Sequence, residues 1–296
     1  MRTLLIAATG LILAVAAPAM AQQPDWRLVD EALGKQGSQE QGGVHRYSFP
    51  RQDMKVTAEG VAIKPGLALG TWFAFLPEGG GAMAMGDMVL TQNEVGPVLS
   101  KLERNGIVTT SLHQHILHAE PMPVYMHVEA HGDPARIAQG LREALSVTGT
   151  LYEAPSREAP SGTAEPEPSV KTIEQILGRE GKVSGGILSI SVPRAEPIRM
   201  MGVELPPAMG TAIALNFQPT GGGKVASTGD FVLVAAEVGP VAGTLRENGI
   251  QVEAVHNHML TEEPRLFFMH YWVNDDAEKV ARSLKAALDR ANVKKG

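Results

Sequence analysis

The stretch Gly86-Asp87-Met88-Val89-Leu90 recurs 143 residues later as Gly229-Asp230-Phe231-Val232-Leu233, and the match then runs on without a gap. The further recurring segments are Glu94-Val95-Gly96-Pro97 with Glu237-Val238-Gly239-Pro240, Asn105-Gly106-Ile107 with Asn248-Gly249-Ile250, and His113-Gln114-His115 with His256-Asn257-His258. Self-similarity at one fixed offset is the signature of a repeated structural unit. The sequence therefore predicts two tandem copies of one unit.

The segment between the two copies has a different composition from either of them. Residues 154–169 are rich in Pro, Glu, Ser and Ala, which is typical of an extended, solvated linker. We therefore expect a first repeat over residues 22–153, a linker over 154–169 and a second repeat over 170–296.

The N-terminus has the pattern of a secretory signal peptide. Arg2 precedes an apolar run over residues 4–17, and Ala19-Met20-Ala21 forms a small-x-small cleavage site. The apolar run is too short for a comfortable membrane span, and a cysteine that could carry a lipid is absent. We expect cleavage near Ala21, no stable membrane anchor, and a mature chain in the periplasm or outside the cell.

The composition narrows the classes of partner and of site. The 296 residues are 44% apolar and 20% charged, enough for two folded cores. Acidic residues outnumber basic ones by 32 to 26, so no overall positive field attracts nucleic acid. The chain has no cysteine, which excludes disulfides, thiolate metal sites and cysteine nucleophiles. Any metal must be held by His, carboxylate or Met side chains.

Each unit reads as a mixture of strands and helices. A short amphipathic helix is predicted, with Pro97 in its first turn and its C-terminal end at Asn105-Gly106. Residues 107–117 and 124–130 form a predicted β-hairpin, with the turn at 120–123. Further helices are predicted after Asp133 and after Asp276. The fold class is therefore α+β: two tandem repeats, each a mainly antiparallel sheet with flanking helices.

Six of the nine histidines form three pairs related by the repeat. The pairs are His113 with His256, His115 with His258, and His127 with His270. Residues two apart on a strand share a face, so the first two histidines of each copy should point the same way. With the hairpin centred on Pro121, His115 lies opposite His127, and the same pairing about Pro264 sets His258 opposite His270. We expect three imidazoles to converge in each repeat.

Three neutral imidazoles on a rigid face suit Zn²⁺ or Cu²⁺, with one coordination position open for water, substrate or a carboxylate. The alternative is a half-buried, hydrogen-bonded histidine surface that gene duplication copied. Candidate additional ligands are the turn residues Glu120 and Glu263, which could also face solvent. Glu94 and Glu237 precede a helix, where capping is the competing role. Asp87 and Asp230 follow glycine in a strand region, where they shape a bend or bulge or else line the site.

The repeated segments together resemble the LppY/LpqO family of exported bacterial proteins, which are built on a domain of unknown function. The resemblance rests on the Gly-Asp-x-Val-Leu, Glu-Val-Gly-Pro, Asn-Gly-Ile and His-x-His segments of both copies and covers most of the mature chain. It implies an envelope location and brings no established reaction. Unlike the lipoprotein members, this chain lacks a cysteine for lipid attachment.

Three functions are compatible with the sequence. The first is binding of a divalent metal or of a small ligand held by it, since no nucleophile or general base is identifiable beside the imidazoles. The second is a metal-dependent hydrolase or oxidoreductase, which would use an open coordination position and a nearby carboxylate such as Glu94. The third is a structural envelope module in which the histidines pack the seam between the repeats.

Overall fold

Each repeat folds around a six-stranded antiparallel sheet. The computed structural model describes residues 24–150 and 168–296, so the proposed signal peptide lies outside the described residues, as does the linker except for its last two positions. Among the described residues, no helix is long and apolar enough to span a membrane.

Within residues 24–150, the first repeat contains nine strands and four helices. They are, in chain order, α1 (Trp26–Leu33), β1 (Ser38–Gln39), β2 (His45–Pro50), β3 (Thr57–Ala58), β4 (Val61–Ala62), α2 (Pro65–Ala68), β5 (Gly70–Glu78), β6 (Gly81–Leu90), α3 (Gln92–Arg104), β7 (Val108–His113), β8 (Ala119–Glu120), β9 (Val124–Gly132) and α4 (Pro134–Leu145). A 3₁₀ turn spans Gln41–Gly43.

The second repeat has the same plan. Its elements are α5 (Pro168–Leu177), β10 (Lys182–Ser184), β11 (Ile187–Val192), β12 (Arg199–Met200), β13 (Val203–Glu204), β14 (Ile213–Gly221), β15 (Lys224–Val234), α6 (Ala235–Glu247), β16 (Gln251–His256), β17 (Glu262–Glu263), β18 (Leu266–Asp276) and α7 (Ala277–Leu288). A 3₁₀ turn at Pro207–Met209 stands where the first repeat has α2.

Strand order is the same in the two large sheets. The first runs β1-β2-β5-β6-β9-β7 and the second β10-β11-β14-β15-β18-β16, and neighbouring strands in both are antiparallel. Each repeat adds a three-stranded sheet, β4-β3-β8 or β13-β12-β17. The prediction of an α+β fold with two repeated, mainly antiparallel units is confirmed.

The glycines between β5 and β6 make a tight hairpin. Glu78 pairs with Gly81, leaving Gly79 and Gly80 as a two-residue loop with φ of 54° and 88°. Two successive left-handed residues are what a type I′ turn requires, and glycine takes that conformation without steric cost. The long strand β6 therefore returns directly beside β5.

Helix α3 starts five residues before Pro97, so the prediction that Pro97 lies in the first turn was wrong. The helix begins at Gln92 because the Glu94 carboxylate accepts a hydrogen bond from the Thr91 backbone N–H at 2.7 Å, an N-terminal capping interaction. Helices α4 and α7 begin as predicted, with Asp133 and Asp276 as their N-caps.

Glu94 also holds a buried arginine. The fully buried Arg51 donates to Glu94 at 2.8 Å, to Asp53 at 2.8 Å and to the Val89 carbonyl. Burial alone would raise the pKa of Glu94, but hydrogen bonds from Arg51, Thr91 and Gly149 outweigh it, so the pKa lies below its ordinary value. In the second repeat Arg194 and Glu237 form the same pair at 2.7 Å.

The two sheets lie with their helix-free faces toward each other. On β6, Ala84 and Met88 belong to the buried cluster that includes α3 and α4, whereas Met83 and Met85 point the other way. Those two methionines share a buried cluster with residues of the second repeat, among them Met209 of the 3₁₀ turn at Pro207–Met209. Since side chains alternate along a strand, the face of β6 opposite α3 and α4 packs against the second repeat.

Short helical segments of each repeat reach across to the other. Helix α2 packs against β14 and β15, and the 3₁₀ turn at Pro207–Met209 packs against β5. Gln218 accepts a hydrogen bond from the Lys64 N–H at 3.0 Å and donates to the Ala62 carbonyl at 2.8 Å. The two repeats are thus interlocked by equivalent segments.

We predict that Glu94→Gln lowers the free energy of unfolding by about 3 kcal/mol at neutral pH, because the buried Arg51 then loses one of its two carboxylate partners, Glu94 and Asp53. The oxygen of the introduced amide can still accept from the Thr91 N–H, whereas its NH2 group can no longer accept from Arg51 and the Gly149 N–H, so the change removes the charge and these two hydrogen bonds. Urea denaturation measures it. A carboxyl group whose pKa is lowered by folding stabilises the fold at pH values above its pKa in the unfolded chain. The stability difference between wild type and Glu94→Gln should therefore shrink as the pH falls through the folded pKa of Glu94, which lies below 4.5.

The matched control is Glu103→Gln, an exposed glutamate on the same helix, for which we expect a change within about 0.5 kcal/mol. Equal stabilities of the two variants would contradict the role given to the buried pair.

Candidate metal centre

In each repeat, one strand end, one turn and one neighbouring strand supply the imidazoles. His113 is the last residue of β7, His115 lies in the turn that follows, and His127 lies in β9. His256 ends β16 in the same way. The other two second-repeat imidazoles are His258 and His270.

The predicted pairing of His115 with His127 was wrong. The strands β7 and β9 are antiparallel, as expected, but His127 pairs with Ser111 and His113 pairs with Tyr125. A register shift separates Thr109 from Ser111, and the chain leaves the strand after His113. In the second repeat His270 pairs with Ala254, so His258 likewise lies beyond the paired strand.

The imidazoles nevertheless converge. The ligand atoms of His113, His115 and His127 (the first triad) all lie within 4.8 Å of one another. Those of His256, His258 and His270 (the second triad), together with Asp230, satisfy the same limit. Nε2 of His113 and Nε2 of His115 are 3.0 Å apart, close to the separation of two nitrogens bound to one ion at about 2.0–2.1 Å.

The two triads meet face to face, whereas the sequence was interpreted as two separate sites. The ring centroids of His113 and His256 are 3.5 Å apart, those of His115 and His270 are 3.7 Å apart, and those of His127 and His258 are 3.8 Å apart. Each imidazole of one repeat therefore stacks on an imidazole of the other. We call the six together the imidazole cluster.

Hydrogen bonds between the repeats hold the turns that carry these rings. The Thr110 hydroxyl donates to the His258 carbonyl at 2.5 Å, and the Asn257 side-chain amide donates to the Thr110 carbonyl at 3.0 Å. The Leu117 N–H donates to the Glu253 carboxylate at 2.5 Å. The cluster is therefore fixed by contacts that neither repeat makes alone.

Two carboxylates face the imidazole cluster from the central strands. Asp87 pairs with His127 across β6 and β9, and Asp230 pairs with His270 across β15 and β18. Strand pairing is regular at both positions, so the expected bend or bulge is not formed and the side chains line the site. Asp230 lies 3.1 Å from His258 Nε2 and 3.9 Å from His270 Nε2, and Asp87 lies 3.8 Å from His115 Nε2.

The glycine before each aspartate allows close strand approach. A Cβ on Gly86 would lie 2.6 Å from the Trp72 carbonyl oxygen, and one on Gly229 would lie 1.9 Å from the Ala214 oxygen. Such contacts cannot form without moving backbone. The repeated Gly-Asp pair thus combines a packing requirement with a polar group aimed at the cluster.

Burial keeps the imidazoles neutral and disfavours ionised carboxylates. It is the largest cause lowering the pKa of all six histidines, and that of His270 falls to about 4. Burial, reinforced by Asp230, raises the pKa of Asp87 to about 8, and burial also raises that of Asp230. Neutral imidazole is the form that binds metals.

Several of these polar atoms have no hydrogen-bond partner among the described residues. They are Nε2 of His127, His256, His258 and His270, and Oδ1 of Asp87 and Asp230. His258 Nε2 lies near Asp230 but without the alignment of a hydrogen bond. Such orphaned groups are costly in a protein interior, which makes their concentration here informative.

Backbone carbonyls orient the rings toward the cluster. His270 Nδ1 lies 2.9 Å from the Gly229 carbonyl, and His256 Nδ1 lies 3.0 Å from the Asn257 carbonyl. A carbonyl can only accept, so Nδ1 carries the proton and Nε2 presents its lone pair to the site. Outer hydrogen bonds of this kind are a regular feature of metal-ligating histidines.

Aromatic neighbours that the sequence interpretation missed pack on the second histidine of each copy. Tyr125 stacks on His115 at 3.3 Å, and its repeat counterpart Phe268 stacks on His258 at 3.4 Å. Each lies two residues before a strand histidine and so on the same face, a spacing that could have identified them.

A half-buried cation, Arg46, also lies near the carboxylates. Arg46 donates to the Ala208 carbonyl at 2.8 Å and stacks over Trp72 at 4.0 Å. Burial lowers its pKa to about 10, while Glu40 and Asp87 act against that shift. Ser189 occupies its place in the second repeat, so the repeat comparison gave no signal for Arg46.

The remaining candidate ligands lie elsewhere. Glu120 and Glu263 are exposed residues of the small sheets, in β8 and β17. Glu94 and Glu237 cap α3 and α6 and pair with the buried arginines. Among the described residues, the groups able to hold a metal comprise the two triads and Asp230, without any of these four glutamates.

The donor set fits a borderline transition metal. Six nitrogens and two carboxylates, with no thiolate or thioether among them, suit zinc or copper, because imidazole is a good ligand for both ions. Metal coordination would also satisfy the orphaned ring nitrogens and give the two carboxylates a positive partner.

Comparison with known proteins places the chain in a family. A family model described as a Domain of Unknown Function (DUF1259) matches residues 27–147 and, again, residues 171–290. The chain belongs to this family and contains two copies of its domain. Among curated proteins, no match is found.

Two solved structures show a distant similarity. EtuB from Clostridium kluyveri has 8% identity and a TM-score of 0.20, with 86% of this chain and 88% of that chain covered. A trimeric bacterial microcompartment shell protein, PduB, has 11% identity and a TM-score of 0.21, with 86% and 89% covered. Neither supports an inference about fold or function.

We predict that Asn257→Ala lowers the free energy of unfolding by about 1–2 kcal/mol, since the Asn257 amide bonds the Thr110 and Met259 carbonyls across and within the repeats. The counterpart Gln114 makes no side-chain hydrogen bond to the other repeat among the described residues. Gln114→Ala is therefore the matched control, with an expected change below about 0.5 kcal/mol in the same urea titration. Equal losses would count against the inter-repeat bond.

Proposed function

We propose that this protein binds zinc or copper at the imidazole cluster between its two repeats. The observation that carries the proposal is the group of buried ring nitrogens without hydrogen-bond partners among the described residues, close to two buried carboxylates. A purely structural seam would be expected to satisfy its buried polar atoms with protein partners. A bound cation instead uses the same lone pairs as ligands.

A metal-dependent hydrolase or oxidoreductase is the second candidate, and a cleft beside His113 favours it. The cleft has a volume of about 360 Å³ and is lined by residues that include Leu112, Gln114 and Met122. A small molecule in this cleft would contact the edge of the first triad. Binding sites typically combine apolar walls with a few polar groups in this way.

We also propose that the chain is exported and is related to the LppY/LpqO proteins. Arg2, the apolar run over residues 4–17 and Ala19-Met20-Ala21 support cleavage after Ala21. Mass spectrometry of the protein from a periplasmic fraction should give a chain that starts at Gln22. Recovery of only the uncleaved chain in the cytoplasm would refute export.

Elemental analysis of the mature protein, purified without a nickel column or chelator, tests metal binding. We expect at least one equivalent of zinc or copper per chain. The double variant His115→Ala, His258→Ala removes one ligand from each triad and should lose at least nine-tenths of the metal while its circular dichroism spectrum stays unchanged. The control is His131→Ala, because His131 is exposed and contacts Glu78 and Glu129, away from the cluster.

Absence of metal from the wild-type protein, with none taken up on titration of zinc and copper, would refute the proposal. If the double variant then also unfolded, the histidines would have the structural role of packing the seam. Retention of full metal content by the double variant would place the metal outside the cluster.

A further inference from the structure

Within each triad the rings are spaced as ligands of one ion. The centroid of His113 is 5.0 Å from those of His115 and His127, and the centroid of His256 is 5.1 Å from His258 and 4.9 Å from His270. An ion about 2.0–2.1 Å from each Nε2 brings such centroids to about 5 Å apart at near-tetrahedral angles. Each triad therefore has the dimensions of a complete three-nitrogen site.

The two triads are stacked one on the other. The three closest imidazole pairs that cross between the repeats have centroid separations of 3.5–3.8 Å, with interplanar angles of 21°, 27° and 31°. Because the two triads are nearly parallel, the centre of one triad lies about as far from the centre of the other as the stacked rings lie from each other. If each triad holds one ion, the two ions would lie about 4 Å apart, which is the distance found in two-metal sites.

Two metal ions in the two triads would need more negative charge than the site supplies. Two divalent cations at this distance repel each other strongly in a buried site. Asp87 and Asp230 offset only half of their charge, and the half-buried Arg46 adds a further positive charge near Asp87. A small anion between the ions would reduce the repulsion. Access is available at His113, His115 and His256, the half-buried members of the two triads.

We infer that the two triads form one dinuclear centre, whose two ions share a small bridging anion such as hydroxide. The inference rests on the proposed function and adds to it the number of ions, their proximity and the class of ligand they take. It also gives the duplication a chemical role, since each repeat supplies the ligands of one ion and the pair exists only when the repeats are together.

Copper(II) titration of the chelator-treated full-length protein, followed by electron paramagnetic resonance, tests the inference. We expect two copper ions per chain and a double-integrated signal at saturation below half of two isolated spins, with a half-field transition. Azide, as the probe anion, should bind in a ratio of one per two copper ions. In protein loaded with copper and zinc at one equivalent each, the isolated copper signal should return, because many copper ions then neighbour zinc.

A variant separates the two ions. His256→Ala should bind a single copper with the full signal of one isolated spin, and His131→Ala should behave as wild type. The copper and zinc mixture needs no variant, so it stands even if His256→Ala fails to fold. Saturation at one copper, or two copper ions with two full isolated spins, would overturn the dinuclear centre while leaving metal binding intact. An azide ratio of one per copper, or no azide binding, would overturn the shared bridging anion. Failure to bind any copper or zinc would instead refute the proposed function.

Discussion

The constraint on which this structure depends is the enclosure of six imidazoles, each buried or half-buried, and two carboxylates between two sheets. Each repeat covers one face of its sheet with its own helices, and that face is apolar. The other face carries Asp87 and His127, or Asp230 and His270, and is closed by the second repeat. Buried polar groups without partners destabilise a fold, so the contact between the repeats requires partners for these imidazoles and carboxylates.

The surrounding structure keeps these groups in place. The glycine before each aspartate brings neighbouring backbone close, a carbonyl turns His270 so that Nε2 faces inward, and aromatic rings cover His115 and His258. Hydrogen bonds from Thr110 and Asn257 cross between the repeats and join β7 to the turn that carries His258. Because the imidazoles are prearranged and neutral, a metal ion would meet little reorganisation on binding.

Much of this could be predicted from the sequence, because the repeat, the periodicity and the capping residues are local signals. They gave the α+β class, the antiparallel β7 and β9 pair, and the helix starts at Asp133 and Asp276. The register was mispredicted because it depends on the shift between Thr109 and Ser111 and on where the chain leaves the strand. The sequence placed the histidines at the seam between the repeats only in the structural hypothesis and did not predict that the two triads form one cluster, since a pattern within one repeat carries no information about how two faces dock. Arg46 could not be identified by comparing the repeats, because Ser189 stands at the equivalent position of the second copy.

Metal binding between the repeats is tested most directly by anomalous diffraction from crystals of the zinc-loaded protein, recorded on both sides of the zinc absorption edge. We expect anomalous density enclosed by the six imidazoles, within about 2.1 Å of Nε2 atoms of both repeats. Zinc bound only at surface sites such as His131, with no anomalous density among the six imidazoles, would contradict it.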